Sequence, residues 1–428
     1  MEFSVRPSRL RGEVEIPGSK SHTIRAVAVA ALAEGESIIR SPLESADTRA
    51  CAEAYRALGA VIDTGPEAWT VRGTAGRIRT PDNVIDVQNS GTTLRIAVGS
   101  AATLTSGLAV FTGDDQIRRR PLGPLAQSLN ELGASVHCTR ENGCAPVVVG
   151  GRLRGGRTAI QAVTSQFLTS LLMATPLADR ESEIDVPLLN EQPYVHITLD
   201  WLARAGIELH RDELRYFRVP GGQQYRPIDV RVPADFSSAT FFLAAGALGD
   251  NDILVKGLDL ADPQGDKAVI DYLRRMGARI DIGPEGIRVR PAPLTGCEID
   301  MNATPDALPM MAVMGCFARG RTALVNVPQA RLKETDRIAV MAAELSRMGA
   351  VVTERPDGLV IEESSLHAAT VDGHCDHRVV MALTVAATAC PDGPSRITTA
   401  QAAAVTFPTF QDCMSRLGAD IARVDDGA

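Results

Sequence analysis

Lysine is nearly missing from this chain. Of its 44 Lys and Arg residues four are lysines, at 20, 256, 267 and 333, which leaves 40 arginines. Usage this lopsided reflects genome composition. It also makes each remaining lysine a candidate for work that the broad guanidinium fork cannot do. Zinc-type spacings are scarce too. No HExxH occurs, and the eight cysteines at 51, 138, 144, 297, 316, 375, 390 and 413 form no CxxC. That argues against a structural zinc site. In a chain too long to need disulfide staples it points to buried thiols in a reducing cytoplasm. No stretch of 18 apolar residues is free of charge or turn, so no membrane span is expected. The opening "MEFSVRPSRLRGEVEIPG" has no apolar core, so it does not read as a signal peptide. Positive charge is not in excess: the formal net charge is -8, which gives no global basic footprint for nucleic acid.

What the chain has is length and repetition. At 428 residues, 45% of them hydrophobic, it exceeds one ordinary core, and two domains are expected. Six amphipathic runs each end in a glycine, at 59, 133, 206, 277, 349 and 418, as in "RALGAVIDT", "LRRMGARIDI" and "LSRMGAVVTE". The local physics predicts a helix, a left-handed Gly cap and then a β-branched strand. The stretches "TGPEAWTVRG", "IGPEGIRVRP" and "ERPDGLVIEE" read as hairpins that follow three of these caps. A second marker recurs in step. A polar cap leads into a small-residue, almost wholly apolar run near 19, 89, 164, 234, 305 and 375, as in "SKSHTIRAVAVAAL" and "ADFSSATFFLAAGAL". A helix apolar on every side is buried on every side. Six units of about 70 residues follow, each roughly strand, helix, strand, helix, strand, strand. Three units around three buried helices, twice over, give two similar domains.

Equivalent helices in a symmetric domain point the same way, so their N-termini gather on one side. Those ends carry Lys20, Ser21 and Arg25; Asn89, Ser90 and Thr92; Thr164, Ser165 and Gln166; Ser237 and Ser238; Asp306; and Asp376, His377 and Arg378. Free N–H groups and the positive end of the helix dipole make such a gathering an anion trap. If the domains face each other, six such ends meet in one cleft.

In order along the chain, "PGSKSHTIRA", "NSGTTLR", "RRRPLGPL", "SQFLTSLLMATPLA", "RLKETDRI" and "CDHRVVM" resemble the successive signatures of the 5-enolpyruvylshikimate-3-phosphate (EPSP) synthase family of enolpyruvyl transferases. The likeness covers essentially the whole chain. It implies an α/β fold of two similar domains, each with three βαβαββ repeats around parallel buried helices, an inverted α/β barrel. It places residues 1–19 and 233–428 in a discontinuous domain and residues 20–232 in an inserted one, with the active site in the cleft between them. The implied reaction moves the enolpyruvyl group of phosphoenolpyruvate to the 5-hydroxyl of shikimate 3-phosphate and releases phosphate by addition and elimination. No metal or other cofactor is implied. The expected protein is a cytoplasmic monomer with no nucleic-acid or membrane partner, and glyphosate is the expected competitor at the donor site. Such chemistry requires cations and helix ends for the phosphates and carboxylates. It also requires an acid for the methylene carbon and a base for the hydroxyl.

Residue by residue, the resemblance makes Lys20 a donor ligand that helps the leaving phosphate, and Ser21 and Arg25 acceptor ligands. Asn89, Gly91 and Thr92 open the second buried helix, and Gly91 leaves room beside the donor phosphate. Arg120, aimed by Pro121, resembles the donor clamp. Arg118 and Arg119 read as a wetted loop. Thr164, Ser165 and Gln166 would hold the acceptor, Gln166 touching both substrates, with Tyr194 as an aromatic wall. Asp306 would take the 5-hydroxyl proton and Glu334 would protonate carbon. Lys333 and Gln329 would touch the acceptor, Arg337 would clamp a carboxylate, Arg378 would bind the donor, and His377 would support Glu334. Asp47 and Arg49 resemble a pair that contributes to the site region.

Three positions depart from the family pattern. Val405, before "TFP", stands where the family carries a donor-binding lysine, and valine cannot replace that charge. Glu191, just before Gln192-Pro193-Tyr194, stands where a serine usually meets the acceptor phosphate, and a carboxylate there repels unless protonated or turned away. Gln329 replaces an asparagine. These departures leave open a paralogue acting on another alcohol, or a silent phosphometabolite-binding protein. The UDP-N-acetylglucosamine branch usually carries a cysteine in the loop matching "TGDDQIRRRP", and none lies between Ala101 and His137.

Overall fold

In the inserted unit, strand Ile85–Asp86 leads through the helix Gly91–Ala101 into strand Leu108–Thr112. Crossing over a helix brings the second strand back parallel to the first, and the two pair that way. The helix Gly123–Glu131 follows, then the hairpin Ala134–Cys138 and Val147–Gly151, whose second strand lies antiparallel on Leu108–Thr112. The result is a four-stranded sheet with one parallel pair and two antiparallel pairs. The same plan recurs in every sheet of this computed structural model, which describes residues 1–424. There are six such sheets among the described residues, three per unit. They stay separate, four strands each, and do not close into a continuous barrel. The three hairpins expected after the Gly caps are present, as Val61–Thr64 with Ala68–Arg72, Arg279–Gly283 with Gly286–Arg290, and Val351–Arg355 with Gly358–Glu362.

The six buried helices are Lys20–Leu32, Gly91–Ala101, Ser165–Ala174, Phe236–Gly246, Leu308–Phe317 and His377–Thr388. Nearly all of their residues are buried, as all-round apolarity demands. They form the middle of two separate cores, one per unit. Within the inserted unit they run parallel. Thr92 meets Gln166 near the two helix starts, and one turn further on the Arg95 carbonyl accepts from the Ser170 hydroxyl. Arg25 of the helix Lys20–Leu32 reaches Thr169. The amphipathic helices end at the six repeat glycines, all with φ between 74° and 107°, the left-handed cap that a Cβ disfavours.

The two compact units are Met1–Pro17 with the chain from Ala234 onward, and Gly18–Pro233. The chain enters the second unit two residues before the expected 19/20 division. The reason is a hydrogen bond: the Ser19 N–H donates to the Pro233 carbonyl inside that unit, while the Asp235 N–H donates to the Pro17 carbonyl in the other. Sheets are completed within each unit across long sequence gaps. Arg11–Glu15 precedes the helix at Lys20 yet pairs in parallel with Asp252–Lys256. Asp229–Arg231 precedes the helix at Phe236 yet pairs with Glu36–Arg40. Glu2–Arg6 lies between Ser395–Thr398 and Asp420–Val424. Among the described residues no helix is long and apolar enough to cross a membrane.

All eight cysteines are free thiols. Cys51, Cys316 and Cys390 are buried as expected, but Cys375 is exposed and the other four are half-buried. Cys375 lies in the loop between the strand Thr370–Asp372 and the helix at His377, outside the core.

Candidate active site

The discontinuous unit gathers its ionisable groups around one arginine. Arg337 opens an amphipathic helix, Arg337–Arg347, and is fully buried. Its Nε donates to Asp376 Oδ2 at 2.8 Å, its Nη1 to Asp306 Oδ1 at 2.7 Å, and its Nη2 to Glu334 Oε2 at 2.7 Å and Asp376 Oδ1 at 3.2 Å. Four of the five guanidinium N–H donors are therefore engaged by three carboxylates. Burial opposes the charge of Arg337, but Asp376, Glu334 and Asp306 outweigh it and hold the pKa above the ordinary arginine value. Asp306 also meets Arg378 Nη2 at 3.2 Å and Lys333 Nζ at 3.6 Å.

Each carboxylate has a distinct local cause for its position. Asp376 caps the last buried helix, accepting from the Arg378 N–H at 2.9 Å, and so delivers its acid at a helix head. Asp306 lies in a short 3₁₀ turn, Pro305–Ala307, ahead of the helix Leu308–Phe317. It does not cap that helix, and its side chain goes to the cations. Glu334 is three residues before Arg337, within reach of its guanidinium. Gln329 is buried, with Nε2 donating to the Asn302 carbonyl at 2.9 Å and no protein partner at Oε1. His377 and Arg378 are buried at the head of their helix, and Arg378 reaches towards the Ser237 carbonyl at 3.5 Å. His374 and His377 are three residues apart but part ways, since His374 Nε2 pairs with the buried Glu344 at 2.9 Å. No group of three His, Cys, Asp or Glu among the described residues is arranged to hold a metal ion. Val405 is half-buried at the end of a 3₁₀ helix, Ala400–Val405.

The inserted unit brings together the heads of its three buried helices. Lys20 Nζ is 3.0 Å from Asp47 Oδ2, both largely shielded from water. Asp47 therefore lies at this helix head beside Lys20. Arg49 does not: it is exposed and pairs with Glu44, because it lies on the solvent face of its helix. Arg25 is 1% exposed and donates to Thr198 Oγ1, Thr169 Oγ1 and the carbonyls of Ser21 and Tyr194. Burial pushes its pKa down to about 10, with Tyr194 and Glu191 pulling it back up. It remains a cation at neutral pH.

Gln166 Nε2 donates to Thr92 Oγ1 at 3.1 Å, and its Oε1 accepts from Arg95 Nη1 at 2.9 Å. Asn89 donates to Asp114 and Gln116, both at 2.6 Å, which ties it to the loop carrying Arg120. Arg120 is buried, Arg119 is exposed and Arg118 half-buried, as the wetted-loop reading expects for the latter two. Gly91 is pressed against this arginine: a Cβ on it would fall 2.5 Å from Arg120 Nη1 and 2.7 Å from Arg95 Nη1. Tyr194 is half-buried, as are Ser21 and Thr164. Glu191 is buried, and its Oε2 accepts from Ser165 Oγ at 2.8 Å, Thr164 Oγ1 at 3.0 Å and the Ser165 N–H at 3.1 Å.

Sequence reasoning missed Arg95. This buried guanidinium bridges Gln166, the Gly91 carbonyl and the Pro121 carbonyl, so it locks the Gly91 turn to the Arg120 loop. The signal was available, since Arg95 is a charge inside an otherwise apolar helix of "NSGTTLRIAVGSA". Asp376 stood among the helix heads but without a role, and the fan of bonds from Arg337 supplies one.

Comparison with known proteins agrees with this layout. The EPSP synthase (3-phosphoshikimate 1-carboxyvinyltransferase) family model matches residues 5–414. A 3-phosphoshikimate 1-carboxyvinyltransferase of Acetivibrio thermocellus is 52% identical over 421 residues, 98% of this chain and 99% of that protein. One from Methanothrix thermoacetophila is 48% identical over 425 residues, again 98% and 99%. Among solved structures, an EPSP synthase from Acinetobacter baumannii superposes with a TM-score of 0.82 at 26% identity, covering 99% of this chain and all of that one. The enolpyruvyl transferase NikO from Streptomyces tendae shares the fold, with a TM-score of 0.78 at 20% identity over 99% and 98% of the two chains.

Proposed function

The chain belongs to the EPSP synthase family, and from that premise we propose that it transfers the enolpyruvyl group of phosphoenolpyruvate to the 5-hydroxyl of 3-phosphoshikimate, releasing phosphate. The observation that carries this reading is the fan of Asp306, Glu334 and Asp376 on the single guanidinium of Arg337. It holds two candidate proton carriers, Asp306 and Glu334, on adjacent arms of a rigid fork, in a place shielded from water. General acid–base chemistry needs that kind of fixed pair.

Asp306 takes the hydroxyl proton as the acceptor oxygen bonds to the donor carbon bearing the phosphate. Glu334 gives a proton to the methylene carbon, which becomes a methyl group, and a tetrahedral adduct results. The Glu334 carboxylate then takes a proton back from that methyl, the carbon–oxygen bond to phosphate breaks with phosphate carrying off the proton that Asp306 gained, and the vinyl ether forms. Three cations, Lys333, Arg337 and Arg378, surround Asp306 and fix the position of its carboxylate. Arg337 has one N–H to spare, so its part here is to position the acids more than to clamp a substrate. Lys20, Arg120 and Gln166 in the inserted unit would meet the donor, and Ser21, Arg25, Thr164, Ser165 and Tyr194 the acceptor.

The test is inorganic phosphate release. It should require both substrates, in a one-to-one ratio with an enolpyruvyl ether identified by mass. Release from phosphoenolpyruvate without an acceptor, or no release with both present, would refute the assignment.

A further inference from the structure

Glu191 sits in an unusual place for a carboxylate. It is 1% exposed, its backbone is left-handed at φ 59°, and it lies two residues past the end of strand Ser182–Leu189. That strand runs parallel to Gly156–Ala162, so both chains end together, and the next helices start at Ser165 and Gln192. The geometry lays the Glu191 carboxylate on the head of the buried helix Ser165–Ala174. One oxygen collects a backbone N–H and two hydroxyls. Arg25, also buried, interacts favourably with it from the neighbouring helix.

Capping alone does not account for this. The helix already has Thr164 at its N-cap, whose side chain accepts from the Gln166 N–H. Burying a carboxylate and holding a non-glycine residue at positive φ both cost free energy. The result is an anion site, a helix head with two hydroxyls and a nearby guanidinium, that the protein fills with its own anion.

On the reading that Thr164 and Ser165 contact the acceptor, we propose that Glu191 is a resident anion in the acceptor subsite and sets the charge class of the group that binds there. It narrows the preference for a phosphate over an uncharged hydroxyl at that position. A dianionic substituent has to displace the carboxylate from three donors and meet it at close range. A hydroxyl substituent can instead donate to it. The chain therefore turns over a phosphorylated acceptor with a much smaller advantage over its unphosphorylated counterpart than an uncharged residue at 191 would give.

The experiment compares wild type with Glu191→Gln and Glu191→Ser. Glutamine keeps the shape and an acceptor oxygen while removing the charge. The readout is kcat/KM for 3-phosphoshikimate divided by kcat/KM for shikimate. Both variants should raise this ratio at least tenfold, with the change in the acceptor KM and not the donor KM. A merely structural role would instead shift donor and acceptor parameters together. Unchanged ratios in both variants overturn the proposal.

Calorimetric titration with 3-phosphoshikimate and with inorganic phosphate decides the matter separately from catalysis. Tighter binding of 3-phosphoshikimate by at least tenfold in Glu191→Gln supports the resident anion, and equal binding refutes it. If no form of the protein turns over either acceptor while this binding difference holds, the transferase reading fails and the subsite assignment stands. A loss of thermal stability in Glu191→Ser without one in Glu191→Gln marks the serine variant as misfolded and leaves the glutamine variant to decide.

Discussion

Glu334→Gln tests the acid at the finest grain. Glutamine can still accept from Arg337, so the fork keeps its place, but it cannot deliver a proton to carbon. Turnover should fall by about 10²–10⁴-fold, while binding of phosphoenolpyruvate, measured by tryptophan fluorescence or calorimetry, persists. Turnover within a few-fold of wild type would move the acid role elsewhere. A second test at this scale uses the thiols. Burial pushes Cys51 and Cys316 up to about 12 and Cys390 up to about 11, so all three stay protonated near pH 8 and react slowly. Cys375 is exposed. A disulfide reagent at pH 8, followed by peptide mapping, should label Cys375 first and those three only on unfolding. Early labelling of Cys51 would contradict the packing. Single residues were unevenly legible. Motif position named Asp306, Glu334 and Arg337, but not that Arg337 serves three carboxylates at once, because Asp306 and Asp376 reach it from 31 and 39 residues away. Arg49 failed for a plain reason: its neighbour Asp47 faces inward and it does not.

Elements were far more legible than their contacts. All-apolar runs with polar heads specify buried helices, and amphipathic runs ending in Gly specify capped surface ones, since each depends on nearby sequence. The joining of three separate sheets without barrel closure was not legible, because sheet neighbours are set by pairings as distant as Asp229–Arg231 with Glu36–Arg40. Gly99 offers a test of how closely two buried helices approach. A Cβ there would lie 2.9 Å from the Ser170 carbonyl oxygen, and closer still to the Ser170 hydroxyl that holds the Arg95 carbonyl. Gly99→Ala should push the helices at Gly91 and Ser165 apart and destabilise the protein by about 1–3 kcal/mol. It should also lower activity, because Arg95 and Gln166 ride on those helices. Chemical denaturation reads the first effect and the phosphate assay the second. An unchanged or raised stability would show that the helices have room.

At the scale of the whole molecule the repeat count predicted two similar units, but the pairing of the first 17 residues with strands after Ala234 is a tertiary fact. Those residues supply Glu2–Arg6, held between two strands, and Arg11–Glu15, and they bury Phe3, Val5 and Leu10. The inserted unit closes its own sheets without them. Deleting Met1–Pro17 should therefore abolish hydrogen-exchange protection in peptides from 234 onward and spare those from 18–233. Protection lost equally in both, or kept in both, would contradict this division.

On the proposed mechanism the acids held on Arg337 carry out addition and then elimination, with a proton placed on the donor's methylene carbon and later removed. The direct measurement is the mass of the enolpyruvyl product formed in heavy water from unlabelled phosphoenolpyruvate. A passing methyl group exchanges hydrogen with the acid that protonates it, so deuterium is expected in the product's vinyl CH₂. Product formed at full rate with no deuterium there would mean direct displacement without carbon protonation, and would contradict it.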